Sequence, residues 1–175
     1  MEPLKPQIYF SWMVSNIDPK LKINEIGNSI TCLSSIGPFK NAYGNYPLLQ
    51  NGIYYWELQI KKGSYFKIGI VDLTKIKDSF KGAFSDLDFG YSFYSMGELR
   101  HQSDLKGPIY GSGYGIGDCI GVLFDRYKDT LNFFYNGTDL GVAFKIKKKD
   151  RIFYPAIACL MKDETISLKL PSRED

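Results

Sequence analysis

An all-β sandwich is the fold this sequence predicts, and three observations carry the prediction. About ten short segments, apolar or alternating apolar with polar, recur at near-regular spacing between turn residues. The composition suits pleated strands joined by tight turns, with 13 Tyr, 12 Phe and 2 Trp beside 17 Gly and 8 Pro. No stretch carries the periodicity of an amphipathic helix. At 175 residues the chain is the size of one domain and long enough to bury a core without staples.

The elements follow in order. Residues 1–20 lack periodicity and are expected to form an arm that packs on the domain, which spans 21–171; residues 172–175 are a short tail. Leu21 to Leu33 holds two strand-like pieces broken at Gly27-Asn28, a hairpin signal. Ser34 to Gly52 is punctuated by Gly37-Pro38, Gly44, Pro47 and Asn51-Gly52 and reads as loop. Tyr54 to Ile60 alternates, placing Trp56, Leu58 and Ile60 on one face. A turn at Lys62-Gly63-Ser64 leads to a strand from Phe66 to Val71, after which 72–88 is irregular. Tyr91 to Tyr94 is strand-like, with Met96-Gly97-Glu98 as its turn. Ile120 to Phe124, Thr130 to Tyr135, Leu140 to Phe144, Phe153 to Leu160 and Thr165 to Leu170 complete the set, and Asn136-Gly137 supplies a hairpin turn.

Several chemistries are disfavoured by what is missing. Cys32, Cys119 and Cys159 are far apart in sequence and read as free thiols; with one histidine, His101, and no CxxC, no zinc or other metal site is expected. Gly111 to Gly117 resembles a phosphate loop only superficially, because a strand follows it rather than a helix N-terminus. His101 and Asp104 have no nucleophile elbow to serve, so no catalytic residues are assigned. The net charge of +3 is too small to imply nucleic acid, and Lys147-Lys148-Lys149 with Arg151 reads as a solvated hairpin tip. No secretory signal and no run of about 18 apolar residues is present. The expectation is a chain at home in the cytoplasm, ahead of the nucleus, with no cofactor, membrane or small-molecule substrate.

The second half carries linked motifs: Gly117-Asp118-Cys119-Ile120-Gly121-Val122-Leu123-Phe124-Asp125, Thr130-Leu131-Asn132-Phe133-Phe134-Tyr135-Asn136-Gly137, Leu140-Gly141-Val142-Ala143-Phe144 and Tyr154-Pro155-Ala156. Upstream stand Gly52-Ile53-Tyr54-Tyr55-Trp56-Glu57-Leu58 and Lys67-Ile68-Gly69-Ile70. In this order and at these spacings the chain resembles the SPRY domain family over about residues 20–170. The resemblance implies a bent antiparallel sandwich, concanavalin-like and related to the jelly roll, with Tyr54, Trp56, Phe124, Phe133 and Phe144 between the sheets. It also implies a non-catalytic module whose loops, at one end of the sandwich, take a short peptide or folded epitope of a protein partner.

By the same resemblance the partner-binding loops are three. The first carries Pro38, Phe39 and Tyr43; Tyr43 stands where relatives often have arginine, so an acidic-peptide preference does not carry over. The second carries Phe80 and Phe84, and the third Met161 and Lys162. Tyr94 and Arg100 border the pocket. Aromatic, Met and Arg side chains suit the centre of an interface. Many SPRY domains read substrates for ubiquitin ligases, so a receptor or scaffold role in such an assembly is one expectation, whether the chain is an excised domain or a small protein. Two other functions compete. A structural subunit would use a sheet face or an exposed apolar patch at Tyr9, Phe10 and Trp12, and a lectin-like domain would stack sugars on its aromatics.

Overall fold

The computed structural model describes residues 5–172. Twelve strands form two antiparallel sheets: β1 (Leu21–Ile23), β2 (Ser29–Cys32), β3 (Lys40–Tyr43), β4 (Ile53–Lys62), β5 (Phe66–Val71), β6 (Gly90–Tyr94), β7 (Leu99–Arg100), β8 (Cys119–Asp125), β9 (Thr130–Tyr135), β10 (Thr138–Lys145), β11 (Tyr154–Cys159) and β12 (Thr165–Leu168). The larger sheet runs β1-β2-β12-β4-β8-β9-β10 and the smaller β3-β11-β5-β6-β7. Among the described residues the one helical element is a 3-10 turn at Leu73–Lys75. The predicted sandwich is therefore the fold.

Strand alternation places the core. Trp56, Leu58 and Ile60 of β4 point inward from the large sheet, and Phe66, Ile68 and Ile70 of β5 meet them from the small one in a single buried cluster. Phe93, Phe124 and Phe133 join them; Tyr54 and Phe144 are only partly buried at its margin. Three residues of the arm, Ile8, Phe10 and Trp12, belong to the same cluster. The ring of Phe10 meets Trp12 and Trp56 edge-on, at centroid distances of 5.4 and 6.2 Å. That burial removes the exposed patch expected for a structural subunit: Phe10 is 8% and Trp12 2% exposed, and only Tyr9 stays out. The tail lies outside the described residues from position 173 on.

Turn chemistry follows the sequence where it was explicit. Asn136 and Gly137 both take positive φ, 47° and 88°, which the two-residue hairpin between β9 and β10 requires. Gly121 has no side chain because the ring of Tyr55 on the neighbouring β4 occupies its Cβ position, the nearest atom lying at 2.5 Å. The three thiols are free; Cys32 and Cys159 are buried and Cys119 is half-buried. His101 is stacked on Tyr91 at 4.0 Å, and its Nδ1 lies 2.8 Å from the Gly90 carbonyl, so it is a tethered loop residue.

Two strands were not expected: the two-residue β7, just past the Met96-Gly97-Glu98 turn, and β3. Lys40–Tyr43 falls in the stretch that reads as loop, because Lys-Asn-Ala-Tyr has neither β-branched residues nor apolar alternation. It is an edge strand specified by its partner, with Asn41 opposite Ala158 and Tyr43 opposite Ala156.

Burial of phenols sets the response to alkali. Tyr43, Tyr55, Tyr110 and Tyr114 all have their pKa values pushed up by burial, Tyr110 to about 12. A folded pKa above the unfolded value of roughly 10 means the stabilisation is complete below pH 10 and is lost as the pH rises beyond it. Lys67, whose pKa burial lowers, acts in the opposite sense, but one lysine opposes four phenols. The melting temperature should therefore fall progressively above about pH 10, with the share of phenolate absorbance that belongs to these four buried rings appearing only on unfolding. A melting temperature that holds from about pH 10 to about pH 12 would refute this.

Candidate functional site

The outer face of the small sheet, turned away from the core, is where two of the three predicted loops meet. Asn41, Tyr43, Lys67, Ser92, Tyr94 and Arg100 alternate with the inward residues of their strands and so share this face. The irregular 76–89 segment folds back over part of it. Phe84 anchors that segment in a second buried cluster with Val71, Ala83, Phe89, Ala156 and Ala158, against which Phe39 and Tyr43 pack. Asn41 clamps the same segment: its Nδ2 donates to the Gly82 carbonyl at 2.8 Å and its Oδ1 accepts from the Phe84 N–H at 2.8 Å. Asp86 accepts from the Ala83 N–H at 2.9 Å, and Ser85 and Ser92 share a hydrogen bond of 2.7 Å.

Two neighbouring hollows result, of about 350 and 360 Å³. The first is lined by Asp18, Pro19, Lys20, Pro38, Phe39, Lys40, Asn41, Phe80, Lys81 and Gly82. The second shares Asp18, Pro19, Asn41, Phe80 and Lys81 and adds Met13, Ile17, Tyr43, Leu73, Ile76 and Lys77, among others. Together they form one cleft between the end of the arm and the 73–82 segment, with β3 along its floor. Its lining mixes apolar side chains with the charged Asp18, Lys20, Lys40, Lys77, Asp78 and Lys81, and hollows of this size take small ligands or single peptide side chains.

Pro38, Phe39, Tyr43 and Phe80, chosen from sequence, thus meet in one place. Phe84 does not. It is 0% exposed, because the 76–89 segment needs an apolar anchor over the small residues of β11, so its assignment as a partner contact is corrected to a structural one. Tyr94 and Arg100 sit beyond Phe39 rather than in the cleft. Tyr94 meets Phe39 edge-on at 6.0 Å, and the buried Arg100 guanidinium lies over the Tyr94 ring at 5.1 Å and reaches Glu98 at 3.3 Å. Met161 and Lys162 are exposed on a separate turn, tied to the first loop by the Lys162 N–H donating to Ser35 Oγ at 2.9 Å.

The charged residues that hold this region had no sequence signal. Lys67 interrupts an apolar strand, yet its ammonium is buried against the faces of Phe39 and Tyr94, at 4.4 and 5.4 Å, and lies 3.5 Å from Asp86. Burial lowers its pKa, and the Asp86 charge works against that shift. Lys40 donates to the Ser34 and Leu160 carbonyls, both at 2.8 Å, and Glu164 accepts from the N–H groups of Ser64, Tyr65, Leu160 and Met161 at 2.7–2.9 Å. These two side chains join three loops into one rigid end of the sandwich.

A family model for the SPRY domain matches residues 53–173, the larger part of the chain. The chain belongs to the SPRY domain family. Solved SPRY structures agree in fold: the SPRY domain of human HERC1 superposes with a TM-score of 0.70 at 19% identity, covering 90% of this chain and 99% of that one. Curated relatives include a probable ATP-dependent RNA helicase, ddx1, of Dictyostelium discoideum, 29% identical over 109 residues, and Protein ssh4 of Sclerotinia sclerotiorum, 32% identical over 112 residues. The matched part is 62% of this chain in each case, but only 13% and 20% of those proteins, so the likeness is to their SPRY portion. SPRY domains are interaction domains without catalytic activity of their own and generally bind protein partners. The family match starts at Ile53, whereas β1 to β3 lie upstream of it and yet belong to both sheets of this sandwich.

Proposed function

We propose that this SPRY domain recognises a short peptide or epitope of a protein partner through the cleft along β3, and serves as receptor or scaffold within a larger, ubiquitin-ligase-type assembly. One observation carries the recognition reading. Pro38, Phe39 and Tyr43 from one stretch and Phe80 from another converge on a cleft whose floor is a strand clamped by Asn41. Such a preorganised hollow spends little ordering entropy on binding.

The test compares affinity purification on the wild type with that on a Phe39→Ala/Phe80→Ala variant, with thermal melting to confirm that both fold. Loss of central contacts should weaken the partner by more than about 2 kcal/mol, over tenfold in affinity. A folded variant that retains every partner at wild-type affinity would move the interface away from the cleft. Ubiquitin-ligase components should appear among the partners of the full-length product; their consistent absence would refute that part.

A further inference from the structure

We infer that the partner segment binds by adding an extended strand to the open outer edge of β3, carrying an acidic side chain between Lys20 and Lys81; this rests on the recognition reading above. β3 ends the small sheet, with β11 on one side only. Across that ladder the Gly44 N–H donates to the Pro155 carbonyl at 2.8 Å. In an antiparallel pair the main-chain groups of successive residues point alternately toward and away from the partner, so those of Ala42 and Gly44 face β11, and those of Asn41 and Tyr43 face outward.

The arm begins to cover that edge and then abandons it. Trp12 pairs antiparallel with Gly44, the Met13 N–H donates to the Tyr43 carbonyl at 2.7 Å, and the Asn45 N–H donates to the Ser11 carbonyl at 2.9 Å. The chain then turns through Asn16 at a φ of 57° and leaves the sheet. Its hydrogen bond to the loop before β3 comes from Lys20, whose Nζ donates to the Ile36 carbonyl at 3.2 Å. Among the described residues nothing bonds to the main-chain N–H or C=O of Asn41. The 350 Å³ hollow lies at that gap.

An unpaired edge is a template for another strand, and natural proteins usually cover it. Strand addition draws affinity from main-chain hydrogen bonds and specificity from alternate side chains. Here Asn41 has its side chain committed to the 82–84 backbone, so the edge is held rigid. The side chains of an added strand would alternate between the apolar Phe39 and Phe80 and the rim. In the hollow beside Asn41, Lys20 and Lys81 face one lining carboxylate, Asp18, which already accepts from the Lys20 N–H at 2.9 Å; the neighbouring hollow adds Lys77 and Asp78, whose charges cancel. Lys40 takes no part, because its ammonium is bound to the Ser34 and Leu160 carbonyls. The cations thus come from neighbouring positions, although position 43 is tyrosine.

The probe is a random decapeptide library displayed on phage and selected on the immobilised chain, with the selected peptides synthesised both plain and N-methylated at alternate amides. The inference expects selected peptides in which Asp or Glu alternates with apolar residues. Hydrogen exchange at the Asn41 amide should slow by about tenfold or more on binding, and N-methylation in one register only should cost about tenfold in affinity. Lys81→Glu, at an exposed position, should weaken the same peptides by a similar factor while melting as the wild type does. Peptides that perturb Phe39 and Phe80 yet leave Asn41 exchange unchanged and tolerate N-methylation everywhere would overturn strand addition and leave the recognition reading standing. Peptides that bind away from the cleft, or a selection that yields none, would overturn both.

Discussion

Replacing Glu164 by alanine should destabilise the domain by about 3–5 kcal/mol, a fall of roughly 6–20 °C in melting temperature for a domain of this size. The carboxylate is 2% exposed, and its two oxygens accept four main-chain N–H groups, two from the turn after β4 and two from the turn after β11. Gly63 sits so close that a Cβ there would lie 2.4 Å from Glu164 Cγ, so the pocket is shaped to this side chain. Removal leaves those donors without their acceptor, a loss of about 1–3 kcal/mol for each buried group that water does not reach. Glu164→Gln restores one acceptor oxygen but turns an NH₂ toward the other pair of donors, so it should recover only part of the loss. Urea denaturation gives the free energy, and amide exchange at Ser64, Tyr65, Leu160 and Met161 locates it. An alanine variant within about 1 kcal/mol of wild type would show that the two turns hold without the carboxylate.

Phe84→Ala should cost a similar amount, about 3–5 kcal/mol, and should also weaken partner binding. The two effects have one cause. Phe84 fills the space between the 76–89 segment and β11, where Ala156 and Ala158 leave room for a ring. The backbone is moulded to it as well, since a Cβ on Gly90 would fall 2.0 Å from the Phe84 carbonyl oxygen. Without the ring the segment loosens, and with it the wall that presents Phe80 and Lys81. Phe84→Leu, which keeps most of the volume, should restore stability and binding together. A Phe84→Ala variant that loses its partner while melting as wild type would return this residue to the role of a direct contact.

These expectations show how unevenly the site was written in the sequence. Phe39, Phe80 and Tyr43 were legible as loop aromatics beside the strands of a known motif pattern. Phe84 looked the same by type and spacing, but whether an aromatic in a loop faces a partner or the fold depends on what lies beneath it. Here Ala156 and Ala158, over seventy residues later in the chain, decide the matter. Lys40, Lys67 and Glu164 carried no signal, because a charged residue in or beside a strand is ordinarily solvated. Their burial follows from carbonyls, amides and ring faces contributed by distant segments.

The sequence alone determined the sandwich and its family, because strand alternation and turn chemistry are local: Trp56, Leu58 and Ile60 repeat at a period of two, and Asn136-Gly137 supplies the two positive φ angles of its hairpin. What the tertiary structure decided was long-range. It made Lys40–Tyr43 an edge strand through β11, drew Phe10 and Trp12 of the arm into the core beside Trp56, and left the main chain at Asn41 open where the arm turns away. The physical reason is the same in each case. A local pattern fixes the direction of a side chain relative to its own strand, whereas burial, pairing and exposure depend on which distant segments come to lie against it.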